Sequence, residues 1–158
     1  MSQHLTFQQA VNYLNEGFNY KATGQSGTVT LKNASQEDCL ILQSEDGGER
    51  VSLFAPFLGS AHSPEVQKVL NMHLLHLNGD LDTLGPLRIT LNTDANRYSL
   101  CDGALMAKSV SDFTEYLQEV LRLAHYLHRE IADVIAQAQR DNELDSDESD
   151  NNANFIKA

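Results

Sequence analysis

The sequence predicts an α+β domain in which a twisted antiparallel sheet of about five strands packs with three helices, in the order α-β-β-β-α-β-β-α. The chain has 158 residues, of which 41% are apolar, and this suffices for one hydrophobic core. Three segments carry apolar residues at helical spacing. The segments between them alternate with the period of two that strands show, and turn residues separate neighbouring strands.

The first helix begins with a capping-box pattern. Thr6 is followed three positions later by Gln9, an arrangement that satisfies free backbone groups at a helix start. Apolar residues then recur at spacings of four, three and four: Phe7, Val11, Leu14 and Phe18. Gly17 is expected to end this helix. Val29 and Leu31 alternate with polar residues and predict the first strand.

The second strand is predicted by the unbroken apolar run at 39–42. Such a strand is covered on both faces, or it offers one face to another molecule. Asp46, Gly47 and Gly48 predict a turn, because glycine accepts positive φ. Residues 50–57 predict a third strand, so strands two and three are expected to be antiparallel neighbours.

The second helix has a clear start and end. Ser63 is suited to the N-cap and Pro64 to the first helical position, and Gly79 is expected just past the end. One apolar stripe is formed by Val66, Val69, Leu70, His73, Leu74 and Leu77. Met72 and Leu75 extend the apolar surface onto a second face, and that face requires a partner.

The C-terminal half predicts two more strands, a long helix and a tail. Residues 87–91 and 98–106 form the strands, with a turn at 93–96. The helix begins near Ser109 or Ser111, and its apolar residues alternate at spacings of four and three: Phe113, Leu117, Val120, Ala124, Leu127, Ile131, Val134 and Ala138. Residues 1–140 are therefore expected to form the domain. Residues 141–158, with six acidic residues and one basic residue, form an acidic disordered tail that is either solubilising or regulatory.

Charge and targeting signals exclude several classes of function. The 22 acidic and 11 basic residues give a net charge of -11, so phosphate backbones and anionic membrane surfaces are not expected partners. The N-terminal residues do not form a signal peptide, and no apolar run approaches the length of a membrane span. We expect a cytoplasmic protein in which Cys39 and Cys101 are reduced and packed as small apolar residues.

Motifs of catalysis are missing from the sequence, which favours a protein that is not an enzyme and needs no cofactor. It has no Gly-Lys-Ser/Thr phosphate loop, no Gly-x-Ser-x-Gly elbow and no Cys-x-x-Cys pair. Two histidine pairs, His73 with His76 and His125 with His128, lie three residues apart on predicted helices. We interpret them as packed core or interface histidines, with a metal-assisted enzyme or a pH sensor as the alternatives.

The order of elements resembles the class I type III secretion chaperones of the Tir chaperone family. The resemblance covers about residues 6–139. Its most specific part is 70–79, Leu-Asn-Met-His-Leu-Leu-His-Leu-Asn-Gly, which is similar to the second helix of that family with its Asn-x-x-Leu core and glycine exit. The strands at 87–91 and 98–106, the long last helix, the small size and the low pI are also similar.

The resemblance implies a homodimer in the bacterial cytoplasm that binds the N-terminal segment of a secreted effector without using ATP and contacts the ATPase of the secretion apparatus. In the family, the effector wraps around the dimer near the first helix and the three-stranded part of the sheet. The matching effector-binding residues are Phe7, Val11, Leu14, Leu40, Leu42, Leu53 and Phe54. The matching dimer-interface residues are Leu70, Leu74, Leu77, Leu87, Ile89 and Leu91.

The apolar pattern supports a binding role independently, because the run at 39–42 and the two-faced second helix carry more apolar surface than one small core hides. A second interpretation keeps the fold and changes the task. In it, the chain is a regulatory module that sequesters a transcriptional regulator or an anti-activator. Both tasks need an apolar peptide groove on an acidic dimer, so the sequence leaves both open.

Overall fold

The computed structural model describes residues 4–22 and 24–155, with the side chains described to residue 146. The elements are α1 (Phe7–Gly17), β1 (Thr28–Lys32), β2 (Asp38–Glu45), β3 (Arg50–Gly59), α2 (Pro64–Gly79), α3 (Leu81–Leu84), β4 (Arg88–Asn92), β5 (Arg97–Asp102) and α4 (Val110–Phe155), with a 3-10 turn at Asp46–Gly48. This order confirms the predicted α+β class and adds the short helix α3.

The five strands form one antiparallel sheet in the order β1-β2-β3-β5-β4, so β1 and β4 are its edges. The predicted hairpin between β2 and β3 is confirmed. It turns at Asp46–Gly48, where Gly47 has a φ of 68°. Strand β5 ends at Asp102, earlier than the predicted 106. The side chain of Asp102 accepts a hydrogen bond from the backbone N–H of Ala104 at 2.9 Å, and this turns the chain away from the sheet.

One face of the sheet, here called the inner face, forms the core with the helices. Leu42 on β2 lies opposite Val29 on β1 and Leu53 on β3, and all three are buried. Helix α4 packs against α1, α2 and β3. Successive residues of a strand point to opposite faces. The other face of the sheet, here called the outer face, therefore carries the side chains between these buried ones.

Helix α1 begins at the predicted capping box and ends at the predicted glycine. The hydroxyl of Thr6 accepts from the N–H of Gln9 at 3.2 Å, and the side chain of Gln9 accepts from the N–H of Thr6 at 3.0 Å. A Cβ atom at Gly17 would lie 2.2 Å from the Oγ1 of Thr114 on α4. Gly17 therefore allows the close approach of α1 and α4, in addition to ending α1.

Helix α4 begins where the sequence predicts it, since the hydroxyl of Ser109 accepts from the N–H of Asp112 at 3.1 Å. Its predicted stripe is buried from Phe113 to Ile131, and Val134 and Ala138 are half-buried. The helix continues to Phe155. The side chains from 141 to 146 are exposed. The boundary at 140 and the disorder of the tail beyond it stay predictions.

Asp102 and Tyr116 connect the end of β5 to α4. The Tyr116 hydroxyl donates to the buried Asp102 carboxylate at 2.7 Å. Burial raises the pKa of Tyr116 above its usual range, and the hydrogen bond to Asp102 raises it further. Replacing Tyr116 with phenylalanine removes one donor from a buried carboxylate, and this is expected to lower the free energy of unfolding by about 1–3 kcal/mol.

The same pair predicts a dependence on pH. When the chain unfolds, Tyr116 ionises near its usual pKa of about 10, whereas in the folded chain it stays protonated. The stabilisation that comes from protonated Tyr116 is therefore fully present below about pH 10, and it decreases as the pH rises further. Urea unfolding between pH 8 and 11 should show a steeper decrease for the wild type than for Tyr116→Phe. Equal slopes would contradict the assignment.

Candidate partner-binding surfaces

Six of the seven residues predicted to bind an effector lie in the core. Phe7, Val11 and Leu14 are buried on α1, and Leu40, Leu42 and Leu53 are buried on the inner face of the sheet. The seventh, Phe54, is half-buried on the outer face. Contact between a guest and the six buried residues stays a prediction. Their burial indicates that in this conformation they stabilise the subunit instead.

A row of side chains crosses the outer face through Phe54. By strand register, Thr30, Ile41, Phe54, Cys101 and Arg88 follow one another across β1, β2, β3, β5 and β4. Ile41, Phe54 and Cys101, in the middle of this row, are half-buried. We call these three residues the outer apolar row.

The outer apolar row borders a pocket of about 100 Å³. Ile41, Phe54 and Pro56 line its apolar side, and Arg97 and Asn92 at the β4–β5 turn line its polar side. Burial raises the pKa of the Cys101 thiol above its usual range, and the neighbouring Asp102 acts in the same direction. Cys101 therefore carries a neutral thiol at pH 7 and extends the apolar surface.

Beside this row, strand β1 presents an edge of the sheet. The carbonyl of Gly27 accepts from the N–H of Ser44, so the backbone of Gly27 faces β2. Backbone groups alternate along a strand, and those of Thr28 and Thr30 therefore face away from the sheet. Among the described residues, their carbonyls accept from side-chain hydroxyls, of Ser26 at 2.8 Å and of Tyr20 at 3.4 Å.

A second apolar surface lies on α2. Val69, Met72 and Leu75 are 45%, 59% and 71% exposed, and together they form what we call the α2 outer stripe. The predicted dimer residues Leu70, Leu74 and Leu77 lie on the opposite, buried side of the same helix. Leu87 and Ile89 are buried as well, whereas Leu91 is 46% exposed. In the isolated subunit, only Leu91 of the six predicted residues is available to a second copy.

One histidine of each predicted pair lies near another protein group. The Nε2 atom of His73 lies 3.6 Å from the Oε1 atom of Glu130, and His128 Nδ1 lies 2.7 Å from the backbone carbonyl oxygen of Phe57. Within the part of the chain that the structure describes, no three His, Cys, Asp or Glu side chains are grouped as metal ligands.

The sequence placed Val69 in the buried stripe of α2, but Val69 is exposed. Ile41 and Cys101 were not identified as outer-face residues, whereas Met72 and Leu75 are exposed on the second face that the sequence predicts for this helix. In β2 and α2, the apolar residues with the more regular spacing are mostly buried in the core, and other apolar residues of the same element are exposed or half-buried. The signal was present, since the run at 39–42 is apolar at both parities and Met72 and Leu75 lie off the main stripe of α2.

The protein belongs to the α+β class. Its helices pack on one face of a five-stranded antiparallel sheet, and the other face carries the outer apolar row. Its fold is similar to that of solved structures. One chain of the ExsC–ExsE complex aligns with a TM-score of 0.61 and 16% identity, over 78% of this chain and 93% of that one. A chain of the heterodimeric ExoU–SpcU complex, from the type III secretion system of Pseudomonas aeruginosa, aligns with a TM-score of 0.55 and 20% identity, over 77% and 95%.

These likenesses confirm the predicted fold. No protein-family profile and no curated protein matches the sequence. Among the described residues, no helix is long and apolar enough to cross a membrane.

Proposed function

We propose that this protein is a chaperone that binds an extended segment of a partner polypeptide along β1 and across the outer apolar row. The observation that carries the proposal is the position of Ile41 and Phe54. They lie opposite each other, half-exposed, on a sheet face without helices, within two strands of an open edge. An apolar patch beside a free strand edge is suited to a guest in extended conformation.

Binding would use backbone and side chains together. The N–H groups of Thr28 and Thr30 face outward, so a guest strand can accept from them, and it can replace the hydroxyls that now occupy the carbonyls. Alternate side chains of the guest then lie over the outer face, where Ile41 is the first apolar residue inward from β1. The guest backbone supplies affinity, and the apolar row supplies preference for apolar guest residues.

The identity of the guest is proposed from the fold. Both similar structures are complexes of two proteins, and one comes from a type III secretion system. We therefore propose a class I type III secretion chaperone in the bacterial cytoplasm that acts without catalysis. Its guest is the N-terminal segment of a secreted effector, and the loaded complex contacts the ATPase of the secretion apparatus. Sequestration of a transcriptional regulator or anti-activator is the alternative, and the identity of the guest distinguishes the two.

Purification of the tagged protein from its native cell tests this proposal. We expect a polypeptide to co-purify in stoichiometric amount, and a fragment of roughly its first hundred residues to bind the purified chaperone. A secreted protein supports escort, and a transcription factor or anti-activator supports the regulatory alternative. If the purified partner binds only through a folded C-terminal domain, the proposed mode of binding is wrong.

We also propose that the α2 outer stripe pairs with the same stripe of a second copy. Val69, Met72 and Leu75 run along one side of the helix, and two such stripes related by a two-fold axis near Met72 would cover each other. Apolar stripes with this spacing associate well when two helices pack together. This interface replaces most of the predicted dimer residues, because those are already buried within the subunit.

Replacing Met72 and Leu75 with lysine is expected to convert the dimer into monomers, since four positive charges would meet in one apolar interface. Sedimentation velocity at micromolar concentration measures the change. The control is Leu144→Lys, which adds one lysine charge per subunit at a leucine that is exposed on α4, away from α2. If the double variant keeps the wild-type mass, the α2 outer stripe is not the dimer interface.

A further inference from the structure

The side-chain amide of Asn78 binds the backbone of an edge strand. Its Oδ1 atom accepts from the N–H of Ile89 on β4 at 2.6 Å, and its Nδ2 atom donates to the carbonyl of Ile89 at 3.0 Å. One amide thus satisfies both backbone groups of a single residue, as a neighbouring strand would. Asn78 is in the last turn of α2, so this helix is joined directly to β4.

A further strand added to the β4 edge of the sheet would form hydrogen bonds with the backbone of Ile89. It lies opposite Leu100 on β5, and its backbone groups face away from β5 because Asn78 reaches them from outside. The outward groups of Leu87, two residues earlier, are occupied too. Its N–H donates to the carbonyl of Leu84 at 3.0 Å, and its carbonyl accepts from the guanidinium of Arg88 at 2.5 Å. The outward groups of Ile89 in β4, and those of Leu87 just before the strand, are therefore closed.

The opposite edge of the sheet differs in chemistry. At β1 the outward carbonyls of Thr28 and Thr30 accept from hydroxyls, of Ser26 and of the exposed Tyr20. A hydroxyl rotates away at little cost, whereas the Asn78 amide has both of its groups engaged and is part-buried. The two edges are thus unequal, although both end the same sheet.

We propose that Asn78 is a specificity-determining residue that closes β4 to strand addition and confines an incoming strand to β1. This inference deepens the proposed function and rests on it for the identity of the guest. The blocking of β4 itself is testable without any guest. A free β4 edge would pair with the same edge of a second copy, because antiparallel pairing of identical strands is self-complementary.

The test compares Asn78→Ala with Asn71→Ala. Asn71 is on the same helix, two turns earlier, and its side chain accepts from the hydroxyl of Tyr98 at 3.2 Å, which is a side-chain contact. Both variants lose an asparagine amide, but only Asn78→Ala frees backbone groups of the edge strand β4. The probe is the protein itself, measured by sedimentation velocity and by hydrogen exchange of β4 at low and high protein concentration.

For Asn78→Ala we expect exchange at the Ile89 amide to be at least tenfold faster than in the wild type at low concentration. At high concentration we expect β4 to become protected again, together with a species larger than the wild-type assembly. Asn71→Ala should show neither effect. The inference is overturned if Asn78→Ala keeps the wild-type mass at all concentrations, or if Asn71→Ala associates equally.

Circular dichroism reports whether each variant is folded. If Asn78→Ala does not fold, Asn78→Leu decides, because leucine keeps a branched side chain at this position but can neither accept from the Ile89 N–H nor donate to the Ile89 carbonyl. It should associate through β4 as described, and a wild-type mass for a folded Asn78→Leu overturns the inference. A separate variant, Thr30→Pro, removes an outward N–H from β1. If the co-purified partner binds Thr30→Pro with unchanged affinity, the proposed guest site fails, whatever the Asn78 variants show.

Discussion

Replacing Ile41 and Phe54 with aspartate is expected to weaken binding of the co-purified partner by at least about 100-fold, because two carboxylates would be placed in the middle of an apolar contact. The two residues lie opposite each other on the outer face, where each is half-exposed, so the subunit is expected to stay folded. Isothermal titration calorimetry with the purified N-terminal fragment of the partner measures the loss, and circular dichroism checks the fold.

Two single variants of β2 serve as controls for this result. Gln43→Asp adds a carboxylate at an exposed outer-face position next to Ile41 and should change affinity by less than about threefold, as a rim charge does. Leu42→Asp places the charge in the core one residue further along and should unfold the subunit. Full binding by the Ile41 and Phe54 variant would show that the guest lies elsewhere.

Replacing Phe113 with alanine is expected to lower the free energy of unfolding by about 3–5 kcal/mol. Phe113 is fully buried on α4, and its ring makes an edge-to-face contact with Tyr13 of α1 at a centroid distance of 5.8 Å. A loss of this size is a large part of the 5–15 kcal/mol that typically holds a domain folded. Urea unfolding followed by circular dichroism measures it.

Leu144→Ala is the matched control on the same helix. Leu144 is exposed beyond the packed part of α4, so its truncation should change the free energy of unfolding by less than about 0.5 kcal/mol. A similar loss in both variants would mean that α4 does not dock on the sheet through its predicted stripe.

The local signals in the sequence were sufficient for most of the fold. The capping box at Thr6, the N-cap at Ser63 and the turn at Asp46–Gly48 each depend on a few neighbouring residues, and the structure has all of them. Helix α3 was missed because four residues are too few to show a periodicity. It forms since the carboxylate of Asp80 accepts from the N–H groups of Asp82 and Thr83.

The candidate site was harder to predict because it depends on distant parts of the chain. In β2 both Leu42 and Ile41 are apolar, and which of them is buried is decided by where α1 and α4 pack. In α2 the spacing does separate Leu74, which is buried, from Leu75, which is exposed, but it assigns the exposed Val69 to the buried stripe. Periodicity identifies the most regular apolar stripe of each element, and the residues of that stripe pack in the core. The apolar residues outside it are available to a partner, and the packing of the helices decides which of them stay exposed.

The unequal edges of the sheet set a minimum length for a partner that contacts two subunits. Edge β1 lies about 19 Å from β4 at roughly 4.8 Å per strand, and β4 is the edge joined to α2. If α2 lies at the dimer axis, the two β1 edges face away from each other, and the widths of the two sheets alone separate them by about 38 Å. An extended chain advances about 3.3 Å per residue, so a linker of at least about a dozen residues must separate two docked strands. Shorter partners would leave one subunit empty.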